Sequence, residues 1–205
     1  MNIFFDLDGT LWDSQDRLYT LFCDLTQNHS ISRDDYWSIK RSKMSNEEIL
    51  RSRFGYDEER VKDFSARWLK LIEAPEYLAL DQLFPFSKAV LHEAKSKGYS
   101  IYYVTLRQYA DRVLQEIVDK GIDPYCERCL VSEAKTTKEA LVRDAGIMLS
   151  EDDLFVGDTG LDVMTGQALG IKTVAVLSGF RNREVLEGYA PDDILDDISA
   201  LNTIL

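Results

Sequence analysis

No apolar stretch of the 205-residue chain approaches the roughly 18 residues that a bilayer span requires, which excludes a membrane partner from the expectations. The opening run Met1-Asn2-Ile3-Phe4-Phe5-Asp6 is too short for a signal peptide and stops at a carboxylate, so a cytoplasmic protein is expected. Cysteine is scarce. Cys23, Cys126 and Cys129 cannot all pair within one chain, which argues against a secreted disulfide framework. Cys126-Glu127-Arg128-Cys129 has the spacing of half a zinc site, but there is no second Cys pair, and His29 and His92 are the only histidines. Small buried or half-exposed thiols are expected instead. Positive charge is also in short supply: 24 Lys and Arg face 36 Asp and Glu, a formal net charge of −12. Such a surface repels polyanions, so no nucleic-acid partner is expected. Internal repeats, low-complexity tracts and Gly/Ser linkers are absent.

What is present is globular: 45% hydrophobic and 29% charged residues, enough for one large domain or one domain with an insert. Residues 2–5 are β-prone and run into Asp6-Leu7-Asp8-Gly9-Thr10, where Gly and Thr mark a turn. From about Ser14 to Leu83 the apolar period is near 3.6, with Leu18, Phe22 and Leu25 on one face and Val61, Phe64, Trp68 and Leu71 on another. Ser45 and Glu48 have the spacing of a capping box. The whole block is predicted to be helical. After Pro85, helical and extended segments alternate, with strands at 100–105, 129–131, 153–157, 172–176 and near 194–195. The helix between the first two of these strands is predicted to bury Val113, Leu114, Ile117 and Val118. The series predicts an α/β fold: a Rossmann-like, mostly parallel sheet with helices on both faces.

Parallel sheets bind ligands beyond the carboxyl ends of their strands. The informative residues stand there: Asp6 and Asp8 after the first strand, Thr105 at the end of another, and Asp158, with Asp162, after Val156-Gly157. Residues two apart project to one side, so Asp6 and Asp8 are expected to point the same way. Four acids in one cleft repel; each like-charge pair at about 4 Å costs on the order of 4 kcal/mol at an effective dielectric near 20. A cation or a raised pKa must relieve this, and all-oxygen ligands suit Mg²⁺. Any one of these aspartates alone is an ordinary loop residue or helix cap. Their joint position carries the expectation.

Phe5-Asp6-Leu7-Asp8-Gly9-Thr10-Leu11 resembles the first motif of the haloacid dehalogenase superfamily, and Val156-Gly157-Asp158-Thr159-Gly160-Leu161-Asp162 resembles its fourth. Thr105 stands where the second motif has Thr or Ser, and a lysine near the start of a later helix stands for the third. Val174-Ala175-Val176-Leu177-Ser178-Gly179-Phe180-Arg181 resembles the phosphoglycolate phosphatase-like branch. The resemblance covers the whole chain and implies a core of residues 1–13 and 84–205 with a helical cap, 14–83, that closes over the cleft. It implies that Asp6 attacks phosphorus to form an aspartyl-phosphate and that Asp8 protonates the leaving alcohol, then deprotonates water. Crowded by other acids, Asp8 is expected to titrate high. The Asp6 carboxylate, the Asp8 carbonyl and Asp158 would hold Mg²⁺, with Asp162 fixing its water shell.

Thr105 would hydrogen-bond a phosphoryl oxygen beside backbone N–H groups, and a lysine would neutralise nucleophile and phosphate. Lys138 is preferred to Lys135, because Thr137 can cap its helix and its spacing to Gly146 and Asp158 suits short members of the family. Leu106 stands where many relatives carry Asn, and Arg107 follows it. Thr105, Leu106, Arg107 and Lys138 form the expected substrate-binding set, with Arg107 either a bidentate phosphate ligand or a surface charge at a helix start. Lys40, Arg41 and Lys43 are either substrate contacts from the cap or a solvated face, and Arg181 and Arg183 have the same ambiguity. The implied function is a Mg²⁺-dependent phosphatase of a small phosphorylated metabolite. The alternatives are a phosphomutase of the β-phosphoglucomutase type and a noncatalytic binding protein of the same fold. Oligomeric state and the identity of the phosphate ester are not legible.

Overall fold

In the computed structural model, which describes residues 1–205, the first strand already shows where the layers lie. Successive side chains of β1 (Asn2–Phe5) point to opposite faces: Ile3 and Phe5 enter one hydrophobic layer, Phe4 another. The chain continues through β2 (Trp12–Asp13), α1 (Gln15–Thr26), α2 (Arg33–Arg41), α3 (Asn46–Phe54), α4 (Glu58–Leu71), α5 (Pro75–Leu78) and β3 (Gln82–Leu83). It then alternates: α6 (Ser87–Ser96), β4 (Ser100–Thr105), α7 (Ala110–Asp119), β5 (Cys126–Val131), α8 (Lys138–Asp144), β6 (Leu154–Gly157), α9 (Gly160–Leu169), β7 (Lys172–Val176), α10 (Arg183–Glu187) and β8 (Asp193–Leu195). Six strands form one sheet in the order β5-β4-β1-β6-β7-β8, and every neighbouring pair is parallel.

Strand order reverses at β1, the point at which a doubly wound sheet opens a crevice beyond its strand ends. The ends of β4, β1 and β6 therefore lie side by side, which brings Thr105, Asp6 and Asp158 to one edge.

Helices α1 to α5 bury a separate cluster that includes Leu21, Phe22, Tyr36, Trp37, Ile49 and Phe64. Their boundaries follow local chemistry. Ser32 and Asp57 cap α2 and α4 by accepting backbone N–H bonds, and Ser45 with Glu48 forms the reciprocal capping box of α3. Phe180, from the loop after β7, stacks on Trp37 with ring centroids 5.5 Å apart, joining the helical cluster to the sheet side.

Two observations qualify the sequence-based expectations, and a third, on the cysteines, agrees with them. The helical block does not run to Leu83: Gln82–Leu83 pairs antiparallel with Trp12–Asp13, a ribbon too short to leave a periodic signal. In α7, Val113 and Ile117 are buried, whereas Leu114 and Val118 are exposed. Adjacent positions lie about 100° apart around a helix, so only one of the two i, i+4 pairs faces the sheet. Cys126 and Cys129 lie half-buried on β5 as free thiols, and burial pushes them up to about 11 and about 12, so neither is a thiolate at neutral pH. No helix is long and apolar enough to cross a membrane.

Candidate active site

The N–H of Asp6 donates to the Val156 carbonyl at 2.9 Å, extending the β1–β6 ladder by one residue and fixing Asp6 at the sheet edge. Asp158 follows β6, and Asp162 lies in the first turn of α9. One carboxylate oxygen from each of Asp6, Asp158 and Asp162 lies within 4.8 Å of the others, and all three residues are buried. At the first position of α8, whose cap Thr137 accepts the Ala140 N–H, Lys138 donates from Nζ to Asp6 Oδ1 and Asp162 Oδ1, both at 2.5 Å. Lys135 is exposed and pairs with Glu133, so of the two candidate lysines the fold brings Lys138 to the acids.

The second oxygen of Asp162 accepts the N–H and the hydroxyl of Thr159. Asp158 Oδ2 accepts the Phe180 N–H at 2.6 Å, while its Oδ1 is buried with no partner. An orphaned buried acceptor among like charges is what a cation satisfies. Burial, opposed by Lys138, pushes Asp6 up to about 7; burial and the charges of Asp6 and Asp162 push Asp158 well up. Burial disfavours the Lys138 ammonium, but Asp162 and Asp6 outweigh it and hold its pKa above the ordinary lysine value. Three acids against one lysine leave negative charge over, and the donors are all oxygen. These residues fit Mg²⁺.

Two glycines let the loops close on Asp158. A Cβ at Gly179 would lie 2.0 Å from Asp158 Oδ2, and one at Gly9, which also has φ +85, would lie 2.5 Å from the same oxygen. Gly179→Ala is therefore expected to displace Asp158, weakening Mg²⁺ binding about tenfold or more and costing about 1–3 kcal/mol of stability. Calorimetric titration with Mg²⁺ and a thermal melt check this; unchanged affinity would show that the acid tolerates displacement.

Asp8 departs from expectation. It lines the same cavity as Asp6, but its carboxylate faces arginines rather than the other acids. Oδ1 accepts from Ser14 Oγ at 2.5 Å, Trp12 Nε1 at 3.1 Å, Arg17 at 2.5 Å and Arg107 at 2.6 Å, and Oδ2 accepts from Arg107 Nε at 2.7 Å. Burial opposes its charge, yet Arg107 and Arg17 hold the carboxyl well below the usual carboxylate range. The expectation of a high-titrating Asp8 is thus corrected, because its immediate neighbours are cations.

Arg107 is neither a surface charge nor a free phosphate ligand: buried, it also donates to Glu116 and Asp81, each at 2.8 Å. Arg17 Nε lies 3.1 Å from Asp81 Oδ1. Thr105 is buried, and its hydroxyl accepts the Arg107 N–H at 3.3 Å; Leu106 is exposed and lines the cavity. Arg17, Asp81 and Glu116 were not legible as site residues. Charged side chains in helices and turns ordinarily face water, and only the tertiary contacts distinguish these.

The cavity between the sheet edge and the helical block has a volume of about 260 Å³; the sheet edge and its loops contribute Asp6, Thr105 and Lys138, and the helical block contributes Arg17, Ile72 and Glu73. Lys40, Arg41 and Lys43 do not line it. Arg41 donates to the Gly179 carbonyl, Arg181 donates to the carbonyls of Lys40 and Phe180, and Lys43 lies over the Tyr189 ring. Arg183 faces Asp196 at the surface.

The family model described as haloacid dehalogenase-like hydrolase matches residues 3–176. Among curated relatives, a pyrophosphatase PpaX from Bacillus mycoides (strain KBAB4) is 28% identical over 224 residues, covering 99% of this chain and 95% of its own. The Bacillus cereus (strain B4264) pyrophosphatase PpaX is 27% identical with the same coverage. Among solved structures, a haloacid dehalogenase-like family hydrolase from Streptococcus pneumoniae superposes with a TM-score of 0.79 at 22% identity, covering 99% of this chain and 97% of that one. A predicted phosphoglycolate phosphatase from Haemophilus somnus superposes with a TM-score of 0.76 at 20% identity, covering 99% and 96%. At these identities the structures establish the fold.

Proposed function

The chain belongs to the haloacid dehalogenase-like hydrolases, and from that membership we propose that it is a Mg²⁺-dependent phosphatase that cleaves a small phosphate ester through a phosphoryl group carried on Asp6. The observation that supports this most is the placement of Asp6: buried, bonded to Lys138, and grouped with Asp158 and Asp162 at the strand ends. Residues 1–13 and 84–205 form the catalytic core in this account, and residues 14–83 form the cap that excludes water.

An Asp6 oxygen attacks phosphorus, the new O–P bond forms, and the bond to the leaving oxygen breaks. Water then attacks the aspartyl-phosphate, releasing inorganic phosphate and restoring Asp6. Lys138 offsets the charge of Asp6, and the Thr105 hydroxyl donates to a phosphoryl oxygen. Asp8 lies where an acid–base group is needed; because Arg17 and Arg107 hold it ionised, giving a proton to the leaving oxygen and taking one from the attacking water both require those arginines to withdraw. When bound, Mg²⁺ would be held by Asp6, Asp158 and the Asp8 carbonyl, with Asp162 beside it, and would polarise phosphoryl oxygens.

The names of the Bacillus relatives favour a second substrate class, pyrophosphate. A phosphate-release panel of sugar phosphates, phosphoglycolate, pyrophosphate and p-nitrophenyl phosphate in Mg²⁺ separates the classes. Isomerised hexose phosphate with little free phosphate would instead indicate a mutase, and no phosphate from any compound would sink the phosphatase.

Metal binding carries a pH signature. Without metal, Asp6 loses its proton near 3.8 in the unfolded chain and near 7 in the folded one, so its contribution to stability falls as pH rises across that interval. Mg²⁺ needs the ionised carboxylate, so the rise in melting temperature on adding Mg²⁺ is expected to be larger at about pH 8 than at about pH 5. Equal shifts at both pH values would contradict the assignment of Asp6 as a ligand.

A further inference from the structure

We infer, resting on the phosphatase reading of this site, that Glu73 is a specificity-determining residue that restricts the cavity to phosphomonoesters whose alcohol part bears no second negative charge. Glu73 lies between α4 and α5, lines the same cavity as Asp6 and Lys138, and is only 4% exposed. Its Oε1 accepts the Gln108 N–H at 2.7 Å, and its Oε2 accepts the Tyr109 N–H at 3.2 Å. Both donors immediately precede α7. Leu69 and Glu73 also offer their carbonyls to Gln108 Nε2 and to Arg112, so four bonds fix this segment against the start of α7. Unpaired N–H groups at a helix start favour an anion. Here the chain supplies that anion itself.

The cations in the wall are already engaged. Arg17 and Arg107 face Asp8 and Asp81, and Lys138 faces Asp6 and Asp162. A carboxylate or phosphate on the far side of a substrate would meet the Glu73 carboxylate with no free positive charge to receive it. Apart from Thr105 and Thr159, the rest of the lining, Ile72, Leu106, Leu161 and Phe180, is apolar and suits an uncharged carbon skeleton. A cavity of about 260 Å³ limits that skeleton to a few carbons beyond the phosphoryl group. Pyrophosphate and phosphoglycolate, each with a second anionic group, are poor substrates on this account.

The test uses two phosphonates of matched size, propylphosphonate and phosphonoacetate, titrated calorimetrically into the Mg²⁺-loaded protein. Wild type is expected to bind propylphosphonate at least about tenfold more tightly. Glu73→Gln keeps the side-chain shape while removing the charge, and should cut that preference about fivefold or more, mainly by improving phosphonoacetate binding. Glu73→Ala, which also frees the Gln108 and Tyr109 N–H groups, should cut it further. A wild type lacking the preference, or variants that both retain it, overturns the inference. Phosphate release from propyl phosphate and from the panel above is measured separately: absence of release from every compound defeats the phosphatase reading, while the binding ratio still decides the role of Glu73.

Discussion

On the proposed mechanism, Asp6→Asn is expected to lower phosphate release by about 10⁴-fold or more, the scale seen when a covalent nucleophile is removed. The amide oxygen can still accept from Lys138 but is too weak a nucleophile to attack phosphorus, so no remaining group can carry the phosphoryl intermediate. The fold is expected to survive the change. A buried acid held near 7 by burial is a destabilising charge at high pH, and Asn removes it without leaving a gap. In metal-free buffer at about pH 8 the variant is therefore expected to melt no lower than wild type, and to gain less from added Mg²⁺. A phosphate-release assay alongside thermal melts checks both parts. Substantial residual turnover would move the nucleophile elsewhere.

Arg107→Ala is expected to give the largest loss of stability of any single change considered. One guanidinium bonds Asp8, Asp81 and Glu116, and its side chain is 3% exposed. Removing one partner of a buried ion pair costs about 3–5 kcal/mol, because the remaining charges stay in place without compensation. For a chain of this length that corresponds to a fall of about 10 °C in Tm. Arg107→Lys should not restore the loss, since a single ammonium cannot present the planar fork that spans three carboxylates. Adding Asp81→Asn to Arg107→Ala should recover part of it, since one unmatched carboxylate is then gone. Arg67, an exposed i, i+4 partner of Asp63, provides the comparison: its replacement by Ala should cost less than about 0.5 kcal/mol. Comparable losses at the two positions would mean that the buried network contributes little.

The contrast between Asp6 and Asp8 shows what the sequence carries and what it leaves out. Strand periodicity locates the ends of β1, β4 and β6, and parallel topology then places Asp6, Thr105 and Asp158 together, so these three are legible without coordinates. Lys138 is legible through Thr137, whose capping role fixes where α8 begins and hence which lysine faces inward. Asp8 is legible as a cavity residue but not in its charge state, which depends on Arg17 and Arg107, contributed by a helix of the insert and by a loop 99 residues away. Neither arginine bears a local mark that separates it from a solvated side chain, and the same holds for Glu73 and Asp81. The ribbon of β2 and β3 escapes for a different reason. Two residues per strand cannot show an alternation, although that ribbon brackets the helical insert where the chain leaves and rejoins the sheet.

Rapid quenching of a single turnover, followed by borohydride reduction, addresses the covalent step most directly, because an acyl phosphate is reduced where a free carboxylate is not. Peptide mass analysis should then show homoserine in place of aspartate at position 6, dependent on substrate and Mg²⁺ and absent from Asp6→Asn. Phosphate released with aspartate unchanged at that position, or homoserine at any other acid, would contradict the account.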